Sequence, residues 1–199
     1  PEDIGHALNH CNIKEINYLS YSHLDPDHTF GMRVIEQLRL NWLDLSINKK
    51  CDNPIKVLAL PNVLNDVNAL STKYGSIFDY YESLNLIKRK SVNKRIVIND
   101  IKITFVPANE EATVTIFVFE QNGKKLIYAP CDVKPFPNSR LFYDADYLII
   151  GNTIIGNILK NNFYLTKNNP LNLELFSFEE VLELKAKYNI QNVIITHLE

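Results

Sequence analysis

Residues 22–31 read Ser22-His23-Leu24-Asp25-Pro26-Asp27-His28-Thr29-Phe30-Gly31. Two imidazoles and two carboxylates fall within six residues. They lie between a strand-like run, Ile16 to Tyr21, and a helical recurrence of Phe30, Val34, Ile35 and Leu38 that starts a helix near Thr29. Alternate side chains of an extended segment point the same way, so His23, Asp25 and Asp27 are expected to converge. His28 reaches a neighbouring position as the chain turns into the helix. Pro26 stiffens the loop and holds Asp25 in extended geometry. This donor set suits one or two divalent cations in the zinc, iron or manganese range. Four potential ligands in six residues weigh against the plain alternative, a turn in which Asp27 simply caps the helix.

The surrounding sequence supplies an α/β frame. Residues 2–10 read as a helix, with Ile4, Ala7 and Leu8 on one face. Ile55 to Leu60, apolar except for Lys56 and ended by Pro61, reads as a largely buried strand, and residues 62–73 as another helix. The middle is strand-rich and reads as antiparallel. Its runs are Leu86–Arg89, Arg95–Ile98, Ile101–Val106 and Thr113–Glu120, with Gln121-Asn122-Gly123 as a hairpin turn into Lys125–Ala129. Tyr147–Ile150 is a strand, and the Asn-rich stretch 151–172 is read as a lid, a partner-binding excursion or a surface loop. Ser177-Phe178-Glu179-Glu180 has the form of a capping box, and the strand Val193–Ile195 delivers Thr196-His197.

Composition closes other classes. The 199 residues are 46% hydrophobic, enough for one domain with a core, and the net charge of -2 argues against a protein built to grip a nucleic-acid backbone. No apolar run approaches the roughly 18–20 residues of a membrane span. Cys11, Cys51 and Cys131 are odd in number and contain no Cys-x-x-Cys pair, so they read as reduced thiols of a cytoplasmic protein. The expectation is a single domain over residues 1–199, trimmed at both ends because Pro1 is not a start residue and the last strand stops abruptly at Glu199.

On these residues the chain resembles the metallo-β-lactamase fold superfamily, whose signature is His-x-His-x-Asp-His followed shortly by Gly. The resemblance is nearest to the cyclic phosphodiesterase and transfer-RNA 3′-processing group and covers nearly the whole chain. It implies a four-layer αββα sandwich lacking its opening strands before Pro1. It also implies that Asp132, after Ile127-Tyr128-Ala129, is the metal-bridging aspartate, and that His197 is the final metal-binding histidine. Two positions depart from the pattern: Asp25 stands for the second His of the motif, and Asn109-Glu110-Glu111 stands where a further His is expected. Spacing to the next strand puts Glu110 at that position, with Asn109 as the alternative. One site then has His23, Asp25, Glu110 and the shared Asp132; the other has Asp27, His28, Asp132 and His197. Carboxylates in place of imidazoles shift preference from zinc towards iron or manganese and lower the Lewis acidity of the pair.

The resemblance implies a metal-dependent hydrolase of a phosphodiester or other ester that uses two divalent metal ions and a metal-bound hydroxide oriented by Asp27. The expected partner is a small-molecule or nucleotide-like substrate, with no strong nucleic-acid signal, no membrane and a homodimer as the assembly entertained. Two alternatives stand beside it: a diiron-type oxidoreductase of the same fold, and a non-catalytic descendant with a degraded metal site. Other residues are read more plainly. His6 and His10 lack a clear third ligand and read as an incidental pair. Cys131 reads as a small buried residue at a strand end rather than a soft ligand. Lys134 is equally well read as facing an anionic substrate or as solvated. The basic run Lys88-Arg89-Lys90 reads as a solvated face.

Overall fold

The computed structural model describes residues 3–159, 162–166 and 168–197. They fall into two compact units divided between Asn93 and Lys94.

The first unit runs α1 (Ile4–His10), β1 (Tyr18–Ser20), α2 (Pro26–Thr29), a 3-10 turn (Phe30–Arg33), α3 (Val34–Arg39), α4 (Trp42–Ser46), β2 (Ile55–Ala59), α5 (Pro61–Asn68), β3 (Ser71–Thr72), β4 (Gly75–Ser76), α6 (Ile77–Ser83) and β5 (Ile87–Ser91). β1, β2 and β5 form a wholly parallel sheet in that order. Parallel pairing demands long crossovers, and the helices between the strands supply them. Ile55, Val57, Leu58 and Ala59 are all buried, as an apolar run in a parallel strand requires. Around the sheet, Ile35, Val63, Val67, Phe78 and Tyr81 complete the core. The loop 22–25 leaves the carboxyl end of β1, where parallel α/β sheets present their ligands.

Four sequence expectations change here. The helix after that loop begins at Pro26, because proline at the first helical position already has the right φ and needs no hydrogen-bond partner. Residues 62–73 do not stay helical: α5 ends at Asn68, and β3 and β4 form a small antiparallel hairpin whose turn uses Gly75 at φ +115°. β5 joins β2 in parallel rather than extending the antiparallel series. Its Arg89 is not merely solvated. Its guanidinium donates to Asp79 at 2.7 Å and, through Nε and Nη2, to Glu82 Oε2, while its backbone amide donates to Glu82 Oε1 at 2.9 Å; this pairing holds the Glu82 carboxyl below the usual carboxylate range.

The second unit runs β6 (Arg95–Ile98), β7 (Ile101–Pro107), β8 (Thr115–Gln121), β9 (Lys124–Ala129), β10 (Tyr147–Ile150), β11 (Thr153–Ile154), β12 (Phe176–Ser177), α7 (Phe178–Lys187) and β13 (Asn192–Ile195). Its main sheet has the order β13-β10-β9-β8-β7-β6. β6 to β9 are an antiparallel meander, as the sequence predicts, and Asn122 and Gly123 both have positive φ in the tight turn between β8 and β9. β9, β10 and β13 are parallel. α7 opens on the expected capping box: Ser177 Oγ accepts from the Glu180 amide, and Glu180 accepts from the Ser177 amide at 2.8 Å. Ile116, Val118, Ile127, Phe142, Leu148, Ile150, Val181 and Tyr188 form one buried core. The stretch after β10 is not a bare loop. It carries β11, which pairs with β12, a bridge between Ile158 and Tyr164, and a 3-10 turn over Pro170–Leu173; residues 160, 161 and 167 of it lie outside the described ones.

Candidate metal centre

In the first unit, His23 is buried and His28 nearly so, with ring centroids 4.0 Å apart. Ser22, itself buried, lies between them: its Oγ is 3.0 Å from His23 Nδ1 and 3.3 Å from His28 Nδ1. A hydroxyl oxygen has two lone pairs, so it can accept an Nδ1–H from each ring. That tautomer leaves both Nε2 lone pairs as donors, the arrangement by which second partners orient histidine ligands. Each Nε2 faces a carboxylate, His23 at 3.7 Å from Asp25 Oδ2 and His28 at 3.0 Å from Asp27 Oδ2, a spacing that suits two donors to one cation and that without a cation calls for a proton on Nε2. The grouping differs from the alternation expected of an extended strand. Asp27 belongs to α2 and pairs with its neighbour His28, because the helix turn opens at Pro26. The turn is tied down by the His28 amide donating to the Asp25 carbonyl at 2.9 Å, and by Thr29 Oγ1 donating to the carbonyls of Leu24 and Asp25.

In the second unit the parallel register decides what meets. Ala129 pairs with Ile150, and Ile150 pairs with Ile195, so the chains leaving β9, β10 and β13 emerge side by side at one sheet edge. Two residues beyond that row are Cys131 and His197, with Sγ 3.7 Å from Nδ1. Asp132 and His197 both adopt left-handed backbone, at φ 59° and 48°. Outside glycine that region is sparsely used, chiefly by Asn, Asp and His, and it is a place where functional side chains are held against local preference. Gly151 leaves room for this row. A Cβ there would sit 2.9 Å from the Cys131 amide nitrogen, 3.1 Å from the Pro130 carbonyl carbon and 3.5 Å from His197 Nδ1.

Glu110 lies exposed on the loop between β7 and β8. Asn109, the alternative, has its carboxamide engaged within that loop: Oδ1 accepts from the Thr113 amide and Nδ2 donates to Thr113 Oγ1. Glu110 and Asp132 both line a cleft of about 590 Å³ whose walls also include Glu111, Lys134 and Phe136. Lys134 has a structural task in that wall. Its ammonium donates to the carbonyls of Asn172 and Leu175 and to Glu180 Oε2 at 2.7–2.8 Å, so all three of its protons have acceptors. His6 and His10 stack at 6.5 Å on the exposed face of α1, and no third ligand atom joins them among the described residues.

The residues fit a divalent cation on the chemistry of their donors. Paired imidazoles with oriented Nε2 atoms and adjacent carboxylates in the first unit, and a carboxylate, an imidazole and a thiol in the second, are the ligand types of zinc, iron and manganese. Sequence reading missed two contributors. Ser22 is quoted in the motif without a role, although a hydroxyl beside the first His is a visible signal. Gly151, a rare glycine directly after an apolar strand, marks a close backbone approach.

Ser22→Ala removes the common acceptor while adding no bulk. The expected result is an intact fold with metal affinity lowered about 10- to 100-fold, as for loss of other second-partner contacts. Competition against a chromophoric chelator measures it, and unchanged affinity would show that the hydroxyl does not orient the rings.

No protein-family model matches the sequence, and no curated protein matches it. Solved structures do. A diphosphatase from the PhnP family matches with a TM-score of 0.68 at 13% identity, covering 98% of this chain and 65% of that one. The metallo-β-lactamase fold protein YhfI from Bacillus subtilis matches at 0.62 and 12% identity, covering 98% and 70%. Human tRNase Z, short form, matches at 0.59 and 12% identity, covering 98% and 78%. The chain therefore has the metallo-β-lactamase fold, an α/β fold as expected, and spans just under two thirds of the diphosphatase. No described helix is long and apolar enough to cross a membrane.

Proposed function

We propose that this chain is a metal-dependent hydrolase of a phosphodiester or related ester. Its ligands for two divalent cations are those the resemblance implies: His23, Asp25, Asp27, His28, Glu110, Asp132 and His197. The observation that carries this reading is the Ser22 hydroxyl held between both Nδ1 atoms. Burying two histidine rings against one hydroxyl has a cost in desolvation and side-chain freedom. It has a purpose if both Nε2 atoms are needed as donors. A diphosphatase and tRNase Z share the fold, which favours a phosphate ester among the substrates this donor set can serve. Bound cations supply Lewis acidity towards the phosphoryl oxygen and acidify water. Asp27, paired with His28, is the group that orients the attacking water and takes up its proton.

Elemental analysis of protein purified without added metal tests the reading, with bis(p-nitrophenyl) phosphate as the assay substrate. The expected result is a transition metal in near-stoichiometric amount and hydrolysis that a chelator abolishes and zinc, manganese or iron restores. Less than about 0.1 equivalent of metal, with no rescue by any of the three, would sink it. Iron as the sole metal, with no hydrolysis, would favour redox chemistry on the same ligands.

A further inference from the structure

A cavity of about 680 Å³ opens in the first unit between the segment Phe30–Glu36 and the β3–β4 hairpin with the start of α6. That volume is in the range of small-molecule pockets. Three exposed rings stand in its lining: Phe30 is 58% exposed, Tyr74 87% and Tyr80 47%. Single exposed aromatics need no explanation, but three lining one cavity form a surface for a flat π-system. The floor is polar at one point. Tyr81, fully buried, donates its hydroxyl to Glu36, and burial together with that bond pushes the phenol well above its usual range. Two lining hydroxyls are spent inside the chain. Thr72 Oγ1 accepts from the Tyr74 amide at 3.1 Å, and Ser76 Oγ donates to Asn68 Oδ1 at 2.9 Å and accepts from the Asp79 amide. The charged groups in the lining that can read a ligand's edge are Glu36, with lone pairs beyond the one Tyr81 uses, and the exposed Arg33.

We propose that this pocket binds a nucleobase, stacked on Tyr74 and Tyr80 and read at its edge by Glu36 and Arg33. An aliphatic chain would use neither Arg33 nor the remaining lone pairs of Glu36. A nucleobase presents donors and acceptors on a planar rim and a π-face to the rings, and stacking on aromatics is how proteins hold bases in a sequence-tolerant way. The location also fits. Phe30, in the pocket lining, is two residues from His28, a Cα separation of at most ~7 Å along the chain, so the Phe30 edge of the pocket adjoins the end of the 23–28 loop. The substrate class this names, a nucleotide ester, rests on the hydrolase reading above; the pocket's affinity for a base does not.

Isothermal titration of the whole chain with adenosine, guanosine, cytidine and uridine, in excess chelator, tests the pocket without any metal. At least one nucleoside is expected to bind, ribose is not, and Tyr80→Ala and Tyr74→Ala are each expected to weaken binding about 10-fold or more. Both side chains are exposed, so neither substitution threatens the fold. No nucleoside binding at millimolar concentration, or binding that both substitutions leave unchanged, would overturn the proposal. Indole bound as tightly as the nucleosides would overturn base recognition and leave a general aromatic pocket. Nucleoside binding by a protein that holds no metal would retain the pocket while the hydrolase reading fails, and a metal-loaded hydrolase that binds no nucleoside would be the reverse.

Discussion

Asp132→Asn is expected to lower hydrolysis of bis(p-nitrophenyl) phosphate by about 100- to 1000-fold, the several kcal/mol of transition-state stabilisation a cation supplies. Metal content should fall with it. The choice of asparagine matters. Asp132 sits at φ 59°, and asparagine tolerates that conformation, whereas alanine would add about 1–2 kcal/mol of backbone cost. Asparagine also keeps the shape of the side chain and removes only the negative charge and one acceptor. A drop in rate with unchanged circular dichroism then reports on the ligand and not on the loop. Wild-type activity and an unchanged metal ratio would remove Asp132 from the site.

Gly151→Ala is expected to destabilise the protein by about 2 kcal/mol, the usual cost of overpacking a filled space. At this chain length that is roughly a 4–8 °C fall in Tm. The new methyl would meet the Cys131 amide nitrogen at 2.9 Å and the Pro130 carbonyl carbon at 3.1 Å, and backbone cannot swing aside as a flexible side chain can. The Gly151 amide is itself bonded to the Ala129 carbonyl at 2.9 Å, so β10 cannot slide away without losing that bond. Any relief therefore moves Cys131 or His197, and weaker metal binding should accompany the lower Tm. Gly5→Ala is the control. Its Cβ meets only the end of the Gln37 side chain, at 3.3 Å, within α1, where alanine is the better helix former by about 0.5–1 kcal/mol. Equal Tm for the two variants would show that the strand ends are not tightly packed at Gly151.

The motif Ser22 to Gly31 is legible because its ligand types and spacing are local. The same holds for the capping box at Ser177 and the Asn122-Gly123 turn, where a few residues dictate a geometry that no distant contact has to supply. The resemblance to the metallo-β-lactamase fold was also legible on these motifs, and the structural matches bear it out at identities of 12–13%. The helix starts at Pro26 and not near Thr29, because periodicity marks where apolar residues recur, not where the first turn closes. Lys134 was undecidable, since its three acceptors come from residues 172, 175 and 180.

By itself, the sequence determined the α/β class, the antiparallel meander and which residues could serve as donors, all of which follow from patterns of a few residues. Only the tertiary structure decided which donors meet. The row Ala129, Ile150, Ile195 joins strands 21 and 45 residues apart, and it alone sets His197 beside Cys131. Parallel pairing of this kind depends on which strands are covered on both faces and on the crossovers between them, and neither is written in any one strand. The aromatic pocket has the same origin. Phe30 and Tyr80 are fifty residues apart, and they line one cavity because α5 stops at Asn68 and the chain turns back through Gly75.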